Sequence, residues 1–507
     1  MSGSCGPPRA LRGNWCGWET GCWRGRGARS SRRRICLKRG GLLEEQAPVR
    51  APGLAAFGGL RAEDEPWLAE CFVPPADFGL MAGMGSIAVF GPPGSGKSAL
   101  REMLIERCRA PSGSQRCCLI ARWQPNPLVL GPDAGFRSVP GQVNNVFDVC
   151  AMAILEYVVA HPSVWSGAPR WARNLLTWFV HRFMQGDAAG RAAYLLEQEG
   201  GPGPSTVQGL LEAEVTQDLV PPHNWPQVAA ELSKALTRLG LEGVWVVVDG
   251  LEPWVETQFD RVVSSLSAFF STLPLFEQAA FAYKAFLPSV LQSDLAAAAG
   301  VERGRIQPYW LAWREEQLVE MVERRLAFAL GRSRFTLHEL CSAEGLLEWL
   351  RRGGGNRPRA WLELIRPLVT RYISEQRHRP IGMDEWVELR RRTPPRLFLD
   401  EMNRHVVVGG REVGIEEMTS GGYRIFCYLY KNAGRVVPWD ELYYRGYRGL
   451  EHVPRAVGDE GYEAPASYEN VLYSRISDLR KAIEPDPRDP LYLDTVRGVG
   501  VVLRLRW

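Results

Sequence analysis

Apolar positions along the chain follow two spacings, and together they predict a mixed α/β protein. Short uninterrupted apolar runs at residues 86–90 and 244–248 are typical of strands buried on both faces of a parallel sheet. Residues 99–108 instead place apolar side chains every three or four positions, which predicts an amphipathic helix. The helical spacing dominates between residues 143 and 239. We therefore expect a parallel sheet flanked by helices, with a helical insertion at about 143–240.

Further segments predict two more strands of this core and a helical region after it. Residues 117–122 and 279–288 are apolar enough to add two strands, the second beside the 244–248 strand. Residues 301–392 are charged and follow a helical pattern. We predict an α/β core over residues 56–300 and a helical lid or linker over 301–393.

The pattern changes again near residue 396, where shorter segments follow one another closely. A helix over residues 469–483 has one apolar stripe, and the chain ends in two strands about a glycine turn. Strands are predicted at 397–400, 405–408, 413–415 and within 491–503, with further helices starting at Thr419 and Trp439. We predict a separate α+β domain over residues 394–507.

One motif in the core carries specific chemistry. The residues Gly91-Pro92-Pro93-Gly94-Ser95-Gly96-Lys97-Ser98 fit the phosphate-binding pattern G-x-x-x-x-G-K-[ST], between a predicted strand and a predicted helix. Glycines let the backbone wrap around phosphates at a helix N-terminus. Lys97 would reach the outer phosphates, and the Ser98 hydroxyl would bind magnesium. ATP and Mg²⁺ are the expected cofactors; a Gly/Pro-rich turn is the alternative.

The 244–248 strand ends in acidic residues suited to that site. Asp249 follows the strand directly and would hold the metal through water, while Glu252 would act as general base on the attacking water. A plain strand and turn is the alternative interpretation. Lys284, in the 279–288 segment, is a candidate for sensing the terminal phosphate, with a solvated lysine as the alternative.

Charge and composition separate the first residues from the rest. The chain of 507 residues carries a net charge of +4, but residues 1–50 alone hold ten Arg and one Lys against three Glu. The remainder is therefore mildly acidic. Residues 1–55 lack periodicity, and we expect a disordered basic tail, which is either a nucleic-acid-binding arm, a solvated segment or the result of an incorrect start codon.

The remaining composition is that of a cytoplasmic protein. An apolar fraction of 45% and a charged fraction of 23% suit a soluble globular protein of about two to four domains. No secretory signal is visible, and the longest apolar stretch, residues 146–160, contains Asp148 and Glu156. The eleven cysteines include no C-x-x-C pair for zinc. We expect a reduced environment and no membrane contact.

The core resembles a known family of ATPases. The spacing of strand, phosphate loop, Asp249-Gly250-Leu251-Glu252 and a helical module ending in Gly355-Asn356-Arg357-Pro358-Arg359 is similar to the STAND branch of AAA-type ATPases. Those proteins are signal-transduction ATPases that switch state with bound nucleotide. The resemblance implies that Arg359 is a lid arginine contacting the nucleotide; a solvated arginine at a helix start is the alternative.

The C-terminal domain resembles the winged-helix effector domain of OmpR/PhoB-type response regulators. The residues that carry the resemblance are Ile476-Ser477-Asp478-Leu479-Arg480-Lys481-Ala482-Ile483-Glu484 and Thr495-Val496-Arg497-Gly498-Val499-Gly500. The resemblance implies binding of double-stranded DNA, with the helix from Glu469 in the major groove and the hairpin wing in the minor groove. The DNA-contacting residues are expected to be Asn470, Tyr473, Ser474, Arg475, Ser477, Arg480, Lys481, Thr495 and Arg497.

Two features depart from that family and keep a second function open. Asp478 stands where many relatives have a basic residue, and residues 396–507 hold 16 basic against 17 acidic side chains. The main expectation is an ATP-dependent DNA-binding transcription regulator that hydrolyses ATP as a slow switch, with nucleotide-dependent homo-oligomerisation left open. The alternative is an ATP-dependent signalling or defence switch whose winged helix contacts protein. A small-molecule kinase has no identifiable acceptor pocket.

Overall fold

A computed structural model of the full chain provides the fold. It describes residues 53–58, 61–109, 117–124, 139–186, 190, 191, 194, 195, 224–400 and 404–505. Most of the predicted tail, and the Gly/Pro-rich stretch at 200–204, lie outside these residues. The 3₁₀ helix Gly53–Phe57 begins inside the segment that composition assigns to the tail, and Ala56 and Phe57 are fully buried.

Five parallel strands form the central sheet, in the order β2-β3-β4-β1-β5. The strands β1 to β5 are Ser86–Gly91, Leu119–Trp123, Val244–Val248, Phe281–Pro288 and Ile306–Trp310. Strands β1, β3 and β4 are buried along their whole length, as their continuous apolar runs predicted. The predicted parallel sheet flanked by helices is therefore confirmed. Because all strands run the same way, their carboxyl ends meet at one edge, where the phosphate loop lies.

Strand β5 corrects the expectation that residues 301–392 are helical throughout. It pairs only with β1, from Ser86↔Ile306 to Phe90↔Trp310, and is the edge of the sheet. Its sequence contains Gln307 and Pro308, and only Ile306 is buried. Proline is tolerated at a sheet edge, where the partner on one side is missing. The strand therefore lacks the apolar signal of the others.

Helices cover both faces of this sheet. Up to β5, the helices α1 to α11 are Leu68–Cys71, Phe78–Met81, Lys97–Arg109, Val139–Ala160, Pro162–Gly167, Arg170–Phe183, Trp225–Arg238, Glu252–Phe270, Leu273–Phe276, Gln292–Ala296 and Ala299–Glu302. Helices α4, α6, α7 and α8 pack on one face, whereas α3 packs on the other. The part of α4 at Gly141–Ala160 is long and apolar enough to cross a membrane, but 56% of its most apolar window is buried inside the protein.

Five helices follow β5 and form the lid, which packs on the α3 face of the sheet. Helices α12 to α16 are Glu315–Ala329, Leu337–Leu340, Leu346–Gly354, Pro358–Ser374 and Met383–Arg392. Their apolar side chains share one core with those of α3 and with Phe57. A buried ion pair between Arg325 on α12 and Glu65, at 2.6 Å, joins the lid to the segment that precedes β1.

The C-terminal residues have a core of their own, which runs from Leu397 to Leu503. Two three-stranded sheets, β6-β7-β8 and β10-β11-β9, enclose the helices. The strands β6 to β11 are Leu397–Asp400, His405–Val408, Arg411–Val413, Val437–Pro438, Leu493–Val496 and Gly500–Leu503. The helices α17 to α19 are Ile415–Lys431, Trp439–Glu441 and Pro465–Ile483, and a π-helical turn, Leu442–Tyr447, follows α18.

These elements are those of a winged helix, as predicted. Helix α17 breaks at Thr419, whose φ of 65° is not helical, and the Thr419 hydroxyl accepts a hydrogen bond from Gly422 N at 3.2 Å. The sequence therefore located the start of the regular helix correctly. Helix α19 begins at Pro465, four residues before the predicted start, because proline is well suited to a first helical turn.

Candidate nucleotide and DNA sites

The phosphate loop connects the carboxyl end of β1 to the N-terminus of α3. Gly94 and Gly96 have φ values of +79° and +94°, which favour glycine. Both glycines also lie under lid residues. A Cβ on Gly94 would lie 3.2 Å from Arg359 Cβ, and a Cβ on Gly96 would lie 3.4 Å from the Trp313 ring. The loop is thus bounded by the lid.

The two residues predicted to be catalytic lie together at this loop. Lys97 is buried, and its Nζ donates to Gly91 O at 2.8 Å and to Pro92 O at 3.3 Å. The same Nζ forms an ion pair with Glu252 Oε1 at 3.1 Å. Glu252 is the first residue of α8, directly after the turn that follows β3. The ammonium and the carboxylate therefore neutralise each other at the carboxyl edge of the sheet.

The loop has the chemistry that a nucleotide phosphate requires. Ser95 Oγ is buried and, among the described residues, has no hydrogen-bond partner in the protein. A hydroxyl in that state is available to a phosphate oxygen at the start of a 13-residue helix, where the dipole favours anions. No group of three or more His, Cys, Asp and Glu suited to a metal occurs in the described part of the chain. Mg²⁺ needs only one or two carboxylates beside phosphate oxygens, so Ser98 and Asp249 fit that ion.

Asp249 is buried at the end of β3 and is already paired within the protein. Its Oδ1 accepts a hydrogen bond from Gly250 N at 2.8 Å, and its Oδ2 accepts one from Arg101 Nη1. Burial raises the pKa of Asp249, while the Arg101 charge acts in the opposite direction. Arg101 was not singled out from the sequence. Its relevance depends on a contact between residues 148 positions apart.

Two lid residues touch the phosphate loop. Arg359 N donates to Gly94 O at 3.3 Å, so the predicted lid arginine lies beside the loop. Trp313 Nε1 donates to Ser95 O at 2.7 Å. In the sequence, Trp313 lies in the segment predicted to be helical and carries no signal of a functional role. A tryptophan before a helix matches no sequence motif. Only its contact with Ser95 in the folded protein identifies Trp313 as part of the site.

Lys284 requires a correction. It pairs in register with Ile87, near the amino end of β1 and about 13 Å from its carboxyl end at about 3.3 Å per residue. Its Nζ donates to Met81 O at 2.8 Å and to Gly83 O and Gly85 O at 2.7 Å. Lys284 therefore holds the segment before β1 and does not face the phosphate loop. Lys284 lies in the middle of the eight-residue strand β4. The sequence alone does not indicate whether its side chain contacts the loop at the carboxyl end of the sheet or the segment before β1.

Six of the nine predicted DNA-contacting residues are exposed, five of them on α19 and one on the wing. The exposed residues on α19 and the wing are Asn470, Tyr473, Ser474, Ser477, Lys481 and Arg497. Tyr473 is 48% exposed, and its ring meets Trp439 edge-on with 4.8 Å between centroids. That contact orients the tyrosine outward before any partner arrives.

Four of the predicted DNA-contacting residues make polar contacts inside the domain. Arg480 donates to Leu493 O at 3.0 Å and to Thr495 Oγ1 at 2.6 Å, which fastens α19 to the wing. Arg480 and Thr495 therefore position the wing and do not extend toward a groove. Arg475 forms an ion pair with Asp478 at 3.7 Å, and Lys481 forms one with the same carboxylate at 3.5 Å. The Asp478 carboxylate thus partly neutralises the positive charge of two basic residues on α19.

Comparisons with known proteins agree with the C-terminal assignment. Residues 416–503 match the model of the family described as "Transcriptional regulatory protein, C terminal". This confirms the resemblance of the C-terminal domain. A search among curated proteins found no match.

Solved structures also match, with low similarity. One is the Aeropyrum pernix ORC1 protein in complex with DNA, at 14% identity and a TM-score of 0.32, covering 90% of this chain and 94% of that one. Another is the Aeropyrum pernix ORC2 protein in ADPNP-ADP complexes, at 12% identity and a TM-score of 0.37, covering 88% of this chain and 93% of that one.

Replacing Lys284 tests its structural role. We expect Lys284→Met to lower the free energy of unfolding by about 3 kcal/mol or more, because the carbonyls of Met81, Gly83 and Gly85 lose their shared hydrogen-bond donor. Nucleotide affinity should stay within about twofold, since the residue is remote from the loop. Urea unfolding and nucleotide titration measure both, with the exposed Lys234→Met as control. Lost nucleotide affinity at unchanged stability would restore Lys284 to the phosphate site.

Replacing Asp478 tests the DNA surface. We expect Asp478→Asn to strengthen duplex binding about tenfold, because it removes a repelled carboxylate and frees Arg475 and Lys481. The salt dependence of binding should also become steeper. Fluorescence anisotropy with a mixed-sequence duplex over a salt series measures both. Glu416→Gln, an exposed charge change on α17, is the matched control. Equal affinities for all three proteins would mean that this surface does not meet phosphates.

Proposed function

We propose that this protein is an ATP-dependent, DNA-binding transcription regulator in which a P-loop ATPase controls the presentation of the C-terminal winged helix. One observation carries the proposal. A single segment, residues 353–359, contacts the phosphate loop with its last residues and the winged helix with its first ones. We call this segment the connector. It joins the end of α14 to the start of α15.

The nucleotide end of the connector consists of Pro358 and Arg359. Besides the Arg359 N to Gly94 O hydrogen bond of 3.3 Å, Pro358 Cγ would lie 3.8 Å from a Cβ on Gly96. Two consecutive connector residues therefore rest on the two left-handed glycines of the loop. If the loop rearranges around phosphates, the first turn of α15, which contacts it, would be displaced as well.

The other end of the connector packs against the β7–β8 turn of the winged helix without intervening side chains. Gly410 N donates to Gly353 O at 3.1 Å, and a Cβ on Gly410 would overlap Gly354 O. A Cβ on Gly355 would lie 2.7 Å from Gly410 O. Arg357, one residue before Pro358, adds an ion pair to Glu412 on β8 at 2.5 Å.

Polar contacts beside the connector extend this interface over the end of α19. From the lid, Arg352 donates to Lys481 O at 2.7 Å, and within the winged helix Arg411 of β8 donates to Ala482 O. Both carbonyls lie in the last turn of the helix, where cations suit its dipole. On the lid helix α16, Arg390 forms ion pairs with Asp486 and Asp489, at 3.2 and 2.8 Å. The lid thus contacts the C-terminal end of α19 and the residues that follow it. The exposed side chains along α19 remain uncovered.

This arrangement supports control by orientation. If the winged helix moves with the lid, nucleotide binding changes the position of the DNA-facing surface relative to the ATPase or to a second copy. Lys97 would bind the outer phosphates, Ser98 and Asp249 would hold the metal, and Glu252 would orient water for the hydrolysis that resets the switch. Magnesium-bound ATP supplies the transferable phosphate and part of its charge neutralisation.

The second candidate is a signalling or defence switch whose winged helix meets protein. It is favoured by the self-pairing of Asp478 with Arg475 and Lys481 and by the balanced charge of the domain. Nucleotide-responsive behaviour without any affinity for duplex DNA would select this candidate.

Two substitutions test the ATPase. Lys97→Ala should abolish nucleotide binding, because the loop loses its only cationic side chain. Glu252→Gln should bind nucleotide and lower turnover about a hundredfold, since the amide is no base. Filter binding and phosphate release measure the two steps. Normal turnover by the second variant would remove Glu252 from the role of base.

The coupling between nucleotide and DNA is the decisive measurement. We expect ATP with Mg²⁺ to change the Kd of the wild type for duplex DNA about fivefold or more, equivalent to a coupling of about 1 kcal/mol. Gly410→Ala should bring this ratio close to one while both ligands still bind, because its Cβ separates the connector from the β7–β8 turn. Fluorescence anisotropy with and without nucleotide measures the ratio.

The matched control is Gly382→Ala, since a Cβ there has nothing within 4 Å and the backbone φ of −84° suits alanine. Glu412→Gln provides a milder variant that removes the ion pair to Arg357. A ratio unchanged in Gly410→Ala and Glu412→Gln would mean that coupling does not use the connector.

A further inference from the structure

A buried arginine beside the nucleotide site has no part in the function proposed so far. Arg101 lies on α3, one turn after the phosphate loop, and is 8% exposed. Its guanidinium pairs with three carboxylates. Nη1 donates to Asp249 Oδ2, Nη2 donates to Glu63 Oε1 at 2.5 Å, and Nε donates to Glu102 Oε1 at 2.9 Å.

One of these carboxylates is needed for the metal. Ser98 and Arg101 are three residues apart on α3, so both side chains project from the same side of the helix. Asp249, which the metal would share with Ser98, is the residue that Arg101 holds. A guanidinium and a divalent cation on one buried carboxylate repel each other strongly, because the low dielectric screens the two charges little. Arg101 and the metal therefore compete for Asp249.

The guanidinium has a second carboxylate to remain on. Glu63 belongs to the 3₁₀ helix Ala62–Asp64, which precedes β1 and packs on α3. Its side chain is 42% exposed, against 10% for Asp249. Arg101 can thus keep a charged partner while Asp249 turns to a cation, and no buried charge is left unpaired.

We propose that Arg101 is a positioning residue that sets the Mg²⁺ requirement of the nucleotide site. It holds Asp249 when the cation is absent and is drawn to Glu63 when the cation binds. The inference rests on the proposed nucleotide function and deepens it. Glu65, two residues after Glu63, is tied to Arg325 of the lid at 2.6 Å, so the metal state also reaches the lid by this route.

The proposal makes two substitutions act in opposite directions. In Arg101→Gln the cation loses its competitor, and the free Mg²⁺ concentration at half-maximal nucleotide binding should fall about fivefold or more. In Glu63→Gln the guanidinium keeps only Glu102 besides Asp249, so it holds Asp249 more strongly and that midpoint should rise about threefold. A purely structural role would move both midpoints upward, because each variant loses an ion pair and loosens the site.

The measurement is a Mg²⁺ titration of the full chain with a fluorescent ATP analogue at fixed concentration, buffered by EDTA. Arg101→Lys keeps the charge, and Glu106→Gln removes an exposed charge from the same helix. Both should stay within about twofold of the wild-type midpoint. Thermal unfolding without nucleotide verifies that each variant is folded. If Arg101→Gln does not fold, Glu63→Gln is compared with Glu65→Gln, which removes an ion pair from the same segment without touching Arg101. A midpoint raised only in Glu63→Gln supports the role of Arg101, and midpoints raised equally in both overturn it.

The outcomes separate the two proposals. A wild type that binds no nucleotide at any Mg²⁺ concentration overturns both the nucleotide function and the role of Arg101. A wild type that binds overturns the role of Arg101 alone if the Glu63→Gln midpoint is at or below that of the wild type, or if the midpoints of Arg101→Gln and Glu63→Gln both rise. Opposite shifts in Arg101→Gln and Glu63→Gln support both.

Discussion

Direct backbone contact between two glycine segments is the constraint on which the arrangement of this molecule depends. Residues 353–355 end a lid helix, and Gly409-Gly410 forms a turn of the winged helix; neither side has room for a Cβ at its closest points. Because the contact is made by main-chain atoms, it has little freedom to adjust by changing rotamers. The two elements must therefore move together or separate completely, and this is the property that a switch requires.

The site on the other side of the connector is balanced by internal ion pairs. Lys97 is neutralised by Glu252, and Arg101 is neutralised by Asp249 with help from Glu63. Each charged residue expected to handle phosphate, metal or water, namely Lys97, Asp249 and Glu252, thus has an oppositely charged partner in the protein. When nucleotide and metal bind, Lys97 and Asp249 exchange a protein partner for a ligand partner. The free-energy difference between the free and bound states is therefore smaller than the strength of either ion pair. The released partners are Glu252 on α8 and Arg101 on α3, so ligand binding also affects these two helices.

The sequence predicted the features whose information is local. The phosphate loop, β3 with Asp249 at its end, and the α19 stripe are each contained in fewer than twenty residues, so the sequence alone predicts them. Strand β5 was missed because an edge strand with Pro308 lacks a continuous apolar run. Lys284 was assigned to the phosphate site although it holds the segment before β1, and Arg480 was assigned to DNA although it joins α19 to the wing. Arg101 and Trp313 depend on contacts between distant parts of the chain, which no spacing encodes.

The glycine turn at 409–410 also has a consequence for protein engineering. Effector domains of this type are attractive modules for chimaeras, in which a foreign specificity is grafted onto an existing sensor. Here a donor domain with any larger residue in that turn would not seat on the lid, however well its reading helix folds. A functional graft would have to import the recognition surface of α19 alone and retain the native hairpin as its adaptor.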